Sequence, residues 1–130
     1  MPATILVVED SRFLRIASER ALTRAGFTVI TSGDGEEALR LAAEKFPDLV
    51  LLDMMLPKLG GPEVLQALKN NAITAHIPVI VLSSLPQTNE DRLKHDGAVA
   101  YFEKSRLLLC DNTDVLVMAI KETLARSLRS

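Results

Sequence analysis

Apolar residues fall in five short, nearly continuous runs along the chain, at 5–8, 28–31, 49–52, 79–82 and 98–102. Three of them, at 5–8, 28–31 and 79–82, are rich in β-branched residues, and all are only four or five positions long, as strands are when a parallel sheet is covered on both faces. Between the runs, apolar side chains recur at helical spacing. Leu14, Ala17, Ala21 and Leu22 make one stripe, and Ala38, Leu39, Leu41 and Ala42 a second. Val64, Leu65 and Leu68 form a third; Val117, Ile120, Leu124 and Leu128 form the last. The interval 85–96 carries the weakest helical pattern, with Leu85 and Leu93 among mostly polar neighbours, and predicts a helix loosely held to the core. Alternation of this kind predicts an α/β domain with a doubly wound, five-stranded parallel sheet, five helices and right-handed crossovers.

Turn and cap residues agree with those boundaries. Gly26 ends the first helix, Gly33-Asp34-Gly35 opens the second and Pro47 closes it. Pro62 suits a first helical turn, Pro78 leads into the fourth strand, and Asn112 or Thr113 is a candidate cap for the last helix. Residues 1–130 read as one domain, with no repeat, low-complexity stretch or linker. The net charge of −2, with both signs interspersed, lacks the polybasic footprint of nucleic-acid binding. A lone cysteine, Cys110, excludes an internal disulfide and is read as filling space. The first residues show neither a signal peptide nor a membrane span, so a cytoplasmic protein is expected.

Sites in open parallel sheets form beyond the C-terminal ends of the strands. Here those ends read Glu9-Asp10 after strand one, Asp53 after strand three and Ser83-Ser84 after strand four, with strand five running into Lys104. Carboxylates gathered at one edge repel one another and persist with a compensating cation. All-oxygen donors suit Mg²⁺, and an aspartate beside a metal, a hydroxyl and an ammonium suits phosphoryl transfer.

Four segments together resemble the receiver domains of two-component response regulators (the CheY-like superfamily). They are Val7-Val8-Glu9-Asp10, the run from Asp48 through Asp53 to Met54-Met55-Leu56-Pro57 with Gly61, the run from Pro78 to Ser83, and the run from Gly97 to Lys104. The resemblance covers essentially the whole chain. It implies a flavodoxin-like strand order 2-1-3-4-5 and an Asp53 that takes phosphate from a sensor histidine kinase or a histidine phosphotransfer protein. It further implies Mg²⁺ bound by Asp10, Asp53 and the backbone carbonyl of Met55, with Glu9 acting through water. Ser83 and Lys104 would contact phosphoryl oxygens, and Tyr101 would change rotamer with the hydroxyl. The face made by the weak helix, the fifth strand and the last helix would then control a partner or output domain. Such a protein catalyses only its own phosphorylation and dephosphorylation.

Each residue also has a plainer reading. Glu9-Asp10 could be a polar strand exit, Asp53 a turn aspartate, Ser83 and Ser84 a cap, Lys104 a solvated lysine and Tyr101 simple packing. His76 and His95 are read as surface residues. Three features depart from the family pattern, one of them a loop before the weak helix that is about one residue shorter than the common pattern. Ser105 follows Lys104 where proline is usual, so a trans peptide is expected there, because a non-proline cis bond costs about 2.5–4 kcal/mol. The stretch Arg106 to Asp111 is also long, and its three leucines at 107–109 would form either an extra turn or an apolar contact for a partner or a phosphorylation-dependent dimer. Two other function classes remain in view: a pseudo-receiver acting as a phosphorylation-independent interaction module, and a flavodoxin-like enzyme. The second lacks a glycine-rich phosphate loop after strand one. No output domain follows the last helix, which fits a stand-alone receiver or a piece of a longer regulator.

Overall fold

The computed structural model describes residues 3–54, 56, 59–83, 97–103 and 113–129. In chain order these form β1 (Thr4–Val8), α1 (Arg12–Arg24), β2 (Thr28–Ser32), α2 (Gly35–Lys45), β3 (Leu49–Asp53) and α3 (Gly61–Asn70). β4 (Val79–Ser83), β5 (Ala100–Glu103) and α4 (Thr113–Arg129) complete the set. The strands make one parallel sheet in the order β2-β1-β3-β4-β5, as expected. The weak helix over 85–96, the Asn112 cap, Ser84, His95, Cys110, the Lys104–Ser105 peptide and the leucines at 107–109 lie outside the described residues.

Strand side chains alternate between the two faces, and both faces are apolar, so each is covered by helices. Leu6, Val8, Val50, Leu52, Val79 and Val81 pack against α2 and α3 through Ala38, Ala42, Val64, Leu65 and Leu68. Ile5, Val7, Leu49, Leu51 and Ile80 pack against Leu22 of α1 and against Leu116 and Ile120 of α4. Burying a leucine or valine of this kind contributes about 1.5–3 kcal/mol. These two slabs fix β1 and β3 side by side at the centre, and that placement positions the site.

Local chemistry starts and stops the helices. Ser11 caps α1 by accepting from the Leu14 N–H at 3.4 Å, and Asp34 caps α2 by accepting from the Glu37 N–H at 2.8 Å. Gly26 follows α1 at φ +100°, a left-handed conformation that favours glycine. α2 ends on Phe46, which takes the left-handed region at φ 49° and ψ 58° before Pro47. At the far end of the sheet, the Lys69 ammonium donates to the carbonyls of Ala75 and Ile77 at 3.2 and 2.7 Å. Its stem crosses Gly97, where a Cβ would lie 2.8 Å from Lys69 Cγ.

Two expectations change. Strand five begins at Ala100 rather than 98: Gly97 turns the chain at φ +116°, and the sheet bonding picks up only where the Val99 N–H reaches the Val79 carbonyl at 2.9 Å. In α1, Ala17 is exposed and Ser18 is half-buried, so the inward face is Leu14, Ser18, Ala21 and Leu22. The helix is rotated to seat Leu22 fully, and small Ala17 forfeits little by turning outward.

Candidate functional site

β1 and β3 run in register from Ile5↔Leu49 to Val8↔Leu52, so Glu9 and Asp53 leave the sheet as neighbours at its C-terminal edge. Both are buried, Asp53 to 1% exposure and Glu9 to 4%, while Asp10 faces solvent. One carboxylate oxygen from each of Glu9, Asp10 and Asp53 lies within 4.8 Å of the other two. Three acids drawn this close, two of them shielded from water, repel one another unless a cation or donors answer them. Hard oxygen donors, two held in the sheet edge and one open to solvent, fit the chemistry of Mg²⁺, which takes few carboxylates and keeps waters.

The backbone around the cluster is fastened on several sides. The Glu9 N–H donates to the Ser32 carbonyl at 3.0 Å, and the Met54 N–H donates to the Leu82 carbonyl at 3.0 Å. α3 presses directly on the loop after Asp53. The Gly61 N–H donates to the Met54 carbonyl at 3.2 Å, and a Cβ on Gly61 would lie 2.5 Å from Met54 Cα and 2.7 Å from the Asp53 carbonyl oxygen. Only glycine allows that approach.

Of the residues named from the sequence, Glu9, Asp10 and Asp53 are brought together. Ser83 ends β4 on the same edge, one position beyond the Asp53↔Leu82 pair. Its side chain, Lys104 and the Met55 carbonyl lie outside the described residues. Tyr101 is buried in β5 opposite Val81, within the core facing α2 and α3. His76 is exposed, as expected. Arg15 was not singled out from the sequence. Its Nη1 donates to the Glu9 carbonyl at 2.9 Å. The available signal was a basic residue within the first turns of the helix that follows the acidic pair.

Among the described residues, two cavities lie away from this site. One, of about 430 Å³, is lined by α1 residues Ile16, Glu19, Arg20, Thr23 and Arg24. The other, of about 300 Å³, is lined by Lys69, His76, Pro78, Val99, Thr123 and Arg126. Burial holds the Lys69 ammonium below its ordinary pKa of 10.5. Among the described residues, no helix is long and apolar enough to cross a membrane.

Comparison with known proteins gives the same picture. Residues 5–108 match the response regulator receiver domain family. The polar-differentiation response regulator DivK of Brucella anthropi is 35% identical over 105 residues, covering 80% of this chain and 85% of that protein. A response regulator receiver domain protein from Clostridium thermocellum superposes with a TM-score of 0.83 at 30% identity, over 95% of each chain. The N-terminal domain of a response regulator receiver protein from Methanoculleus marisnigri gives 0.73 at 34% identity, over 84% of this chain and 91% of that one.

Proposed function

This chain belongs to the response regulator receiver domains of two-component systems, and on that premise we propose that Asp53 accepts a phosphoryl group from a partner's phosphohistidine. The donor is a sensor histidine kinase or a histidine phosphotransfer protein. The observation carrying this reading is the convergence of Glu9, Asp10 and Asp53, with oxygens within 4.8 Å of one another, at the C-terminal edge of the sheet.

In the reaction, an Asp53 carboxylate oxygen attacks phosphorus as the P–N bond to the donor imidazole breaks. The bonding pair stays on the imidazole nitrogen, which takes a proton from solvent, and the product is an acyl phosphate. Asp10, Asp53 and the Met55 carbonyl would hold Mg²⁺, with Glu9 reaching it through water. Bound there, Mg²⁺ supplies charge neutralisation for the phosphoryl oxygens. Ser83 donates a hydrogen bond to one phosphoryl oxygen, and the Lys104 ammonium pairs with another. These contacts exist only with the added charge present, so they shift the population toward the arrangement that makes them. Tyr101 follows Ser83, and the face containing β5 and α4 passes the change to a downstream target or output domain.

The test is uptake of phosphate from acetyl phosphate with Mg²⁺ by the parent chain and by Asp53→Asn. The parent should take up one hydroxylamine-sensitive phosphate per chain and the variant none; equal uptake would sink the proposal. A parent that fails to bind beryllofluoride in the presence of Mg²⁺ would instead be a pseudo-receiver.

A further inference from the structure

We infer that Arg15 is a positioning residue for the acidic site, its guanidinium fixing the plane of the Glu9–Asp10 peptide and so the way those two carboxylates meet a divalent cation. The inference rests on the metal-binding reading of Glu9, Asp10 and Asp53. Arg15 sits in α1, its own N–H bonded to the Ser11 carbonyl at 2.8 Å, so its backbone is anchored in the first turns of the helix. From there its half-buried Nη1 reaches back to donate to the Glu9 carbonyl at 2.9 Å. On the other side of the same residue, the Glu9 N–H is held by the Ser32 carbonyl at 3.0 Å. Both backbone polar groups of Glu9 are therefore fixed.

The consequence follows from peptide planarity. The Glu9 carbonyl and the Asp10 N–H share one rigid unit, so anchoring the oxygen also sets the torsions that join each flanking side chain to it. Glu9 and Asp10, one buried and one exposed, flank that unit. A second observation points to the same guanidinium. A Cβ on Gly33, in the loop between β2 and α2, would lie 3.1 Å from Arg15 Nη1. Glycine there leaves the guanidinium the room it occupies.

Charge alone would act in the opposite direction, since a cation beside a metal site competes with the metal. The two effects therefore differ in sign and can be separated. Mg²⁺ titrations of the full chain, followed by amide NMR, are made on the parent, Arg15→Gln, Arg15→Lys, Gly33→Ala and the Arg15→Gln/Gly33→Ala pair. If Arg15 positions the site, Arg15→Gln binds Mg²⁺ about tenfold more weakly, the scale found for partners that orient metal ligands. The Asp10 amide then also shifts in the metal-free protein, and Arg15→Lys recovers part of the affinity. Gly33→Ala weakens binding in the same direction, and the pair is no worse than Arg15→Gln alone, because both changes act through one group.

Arg15→Gln binding Mg²⁺ as tightly as the parent, or more tightly, overturns the inference. If Arg15→Gln does not fold, Gly33→Ala decides, and an unchanged Mg²⁺ affinity there overturns it equally. A parent that binds no Mg²⁺ at all defeats the metal reading itself, a result distinct from a parent that binds and a variant that matches it.

Discussion

A methyl group added at position 61 would press on Met54 Cα at 2.5 Å and on the carbonyl of Asp53 itself at 2.7 Å. Backbone cannot yield as a flexible side chain can, so Gly61→Ala should cost about 1–3 kcal/mol of stability and slow phosphate uptake as well. Gly35→Ala is the control: its Cβ would strike the Leu59 carbonyl and Val64 Cγ2, both at 2.6 Å, rather than the backbone of Asp53 or Met54. Urea unfolding should show similar losses for the two, while only Gly61→Ala lowers the rate with acetyl phosphate. Lys69 makes a prediction of another kind. Its folded pKa lies below the ordinary 10.5, so between those values the unfolded chain binds more protons and stability rises with pH. Lys69→Met keeps the stem over Gly97 and removes the titration, so the rise should vanish in the variant and stand out as the difference between the two proteins' unfolding free energies. The acids were legible in the sequence because a strand exit is a position the chain itself marks. Arg15 was not, because its role depends on how far a side chain reaches back to a carbonyl, which no spacing records.

Helix ends offer the next scale. The Asp34 cap bond is short at 2.8 Å and the Ser11 bond long at 3.4 Å. Asp34→Ala should therefore cost about 1 kcal/mol, and Ser11→Ala only a few tenths. Phe46 closes α2 in the left-handed region while 63% exposed, so the ring returns little for the strain its Cβ imposes. Phe46→Gly should raise stability by roughly 0.5–1 kcal/mol in chemical unfolding, the glycine's extra freedom in the unfolded chain offsetting part of the gain. The strands were easy to place from the sequence, since a run buried on both faces admits few alternatives. What escaped were features set by tertiary packing. Ala17 and Ser18 exchanged faces because seating Leu22 outweighed the preference of a single methyl group, and β5 started late because Gly97 had to turn above Lys69.

Across the molecule, the two apolar slabs stabilise the sheet, and its C-terminal edge gathers three carboxylates whose like charges repel. Relieving that repulsion should favour the fold. Asp10→Asn is expected to raise the unfolding temperature of the metal-free protein and to abolish its response to Mg²⁺. For the parent, Mg²⁺ at tenfold its dissociation constant should add about 1.4 kcal/mol by linkage. Thermal unfolding of both proteins with EDTA and with Mg²⁺ checks the two signs at once.

The central pairing of β1 with β3 also has a consequence in time. Ile5 meets Leu49, so the acidic cluster is built from segments far apart in the chain, the kind of contact that forms slowly. During synthesis at about 5–20 residues per second, Glu9 and Asp10 are made roughly 2–9 seconds before Asp53 exists. A fragment that ends before Asp53 cannot hold the cluster, which is built where β1 pairs with β3. On the reading that Asp53 takes up phosphate, a chain competent for that chemistry has already paired β1 with β3, so the proposed modification would also report that the centre of the molecule is folded.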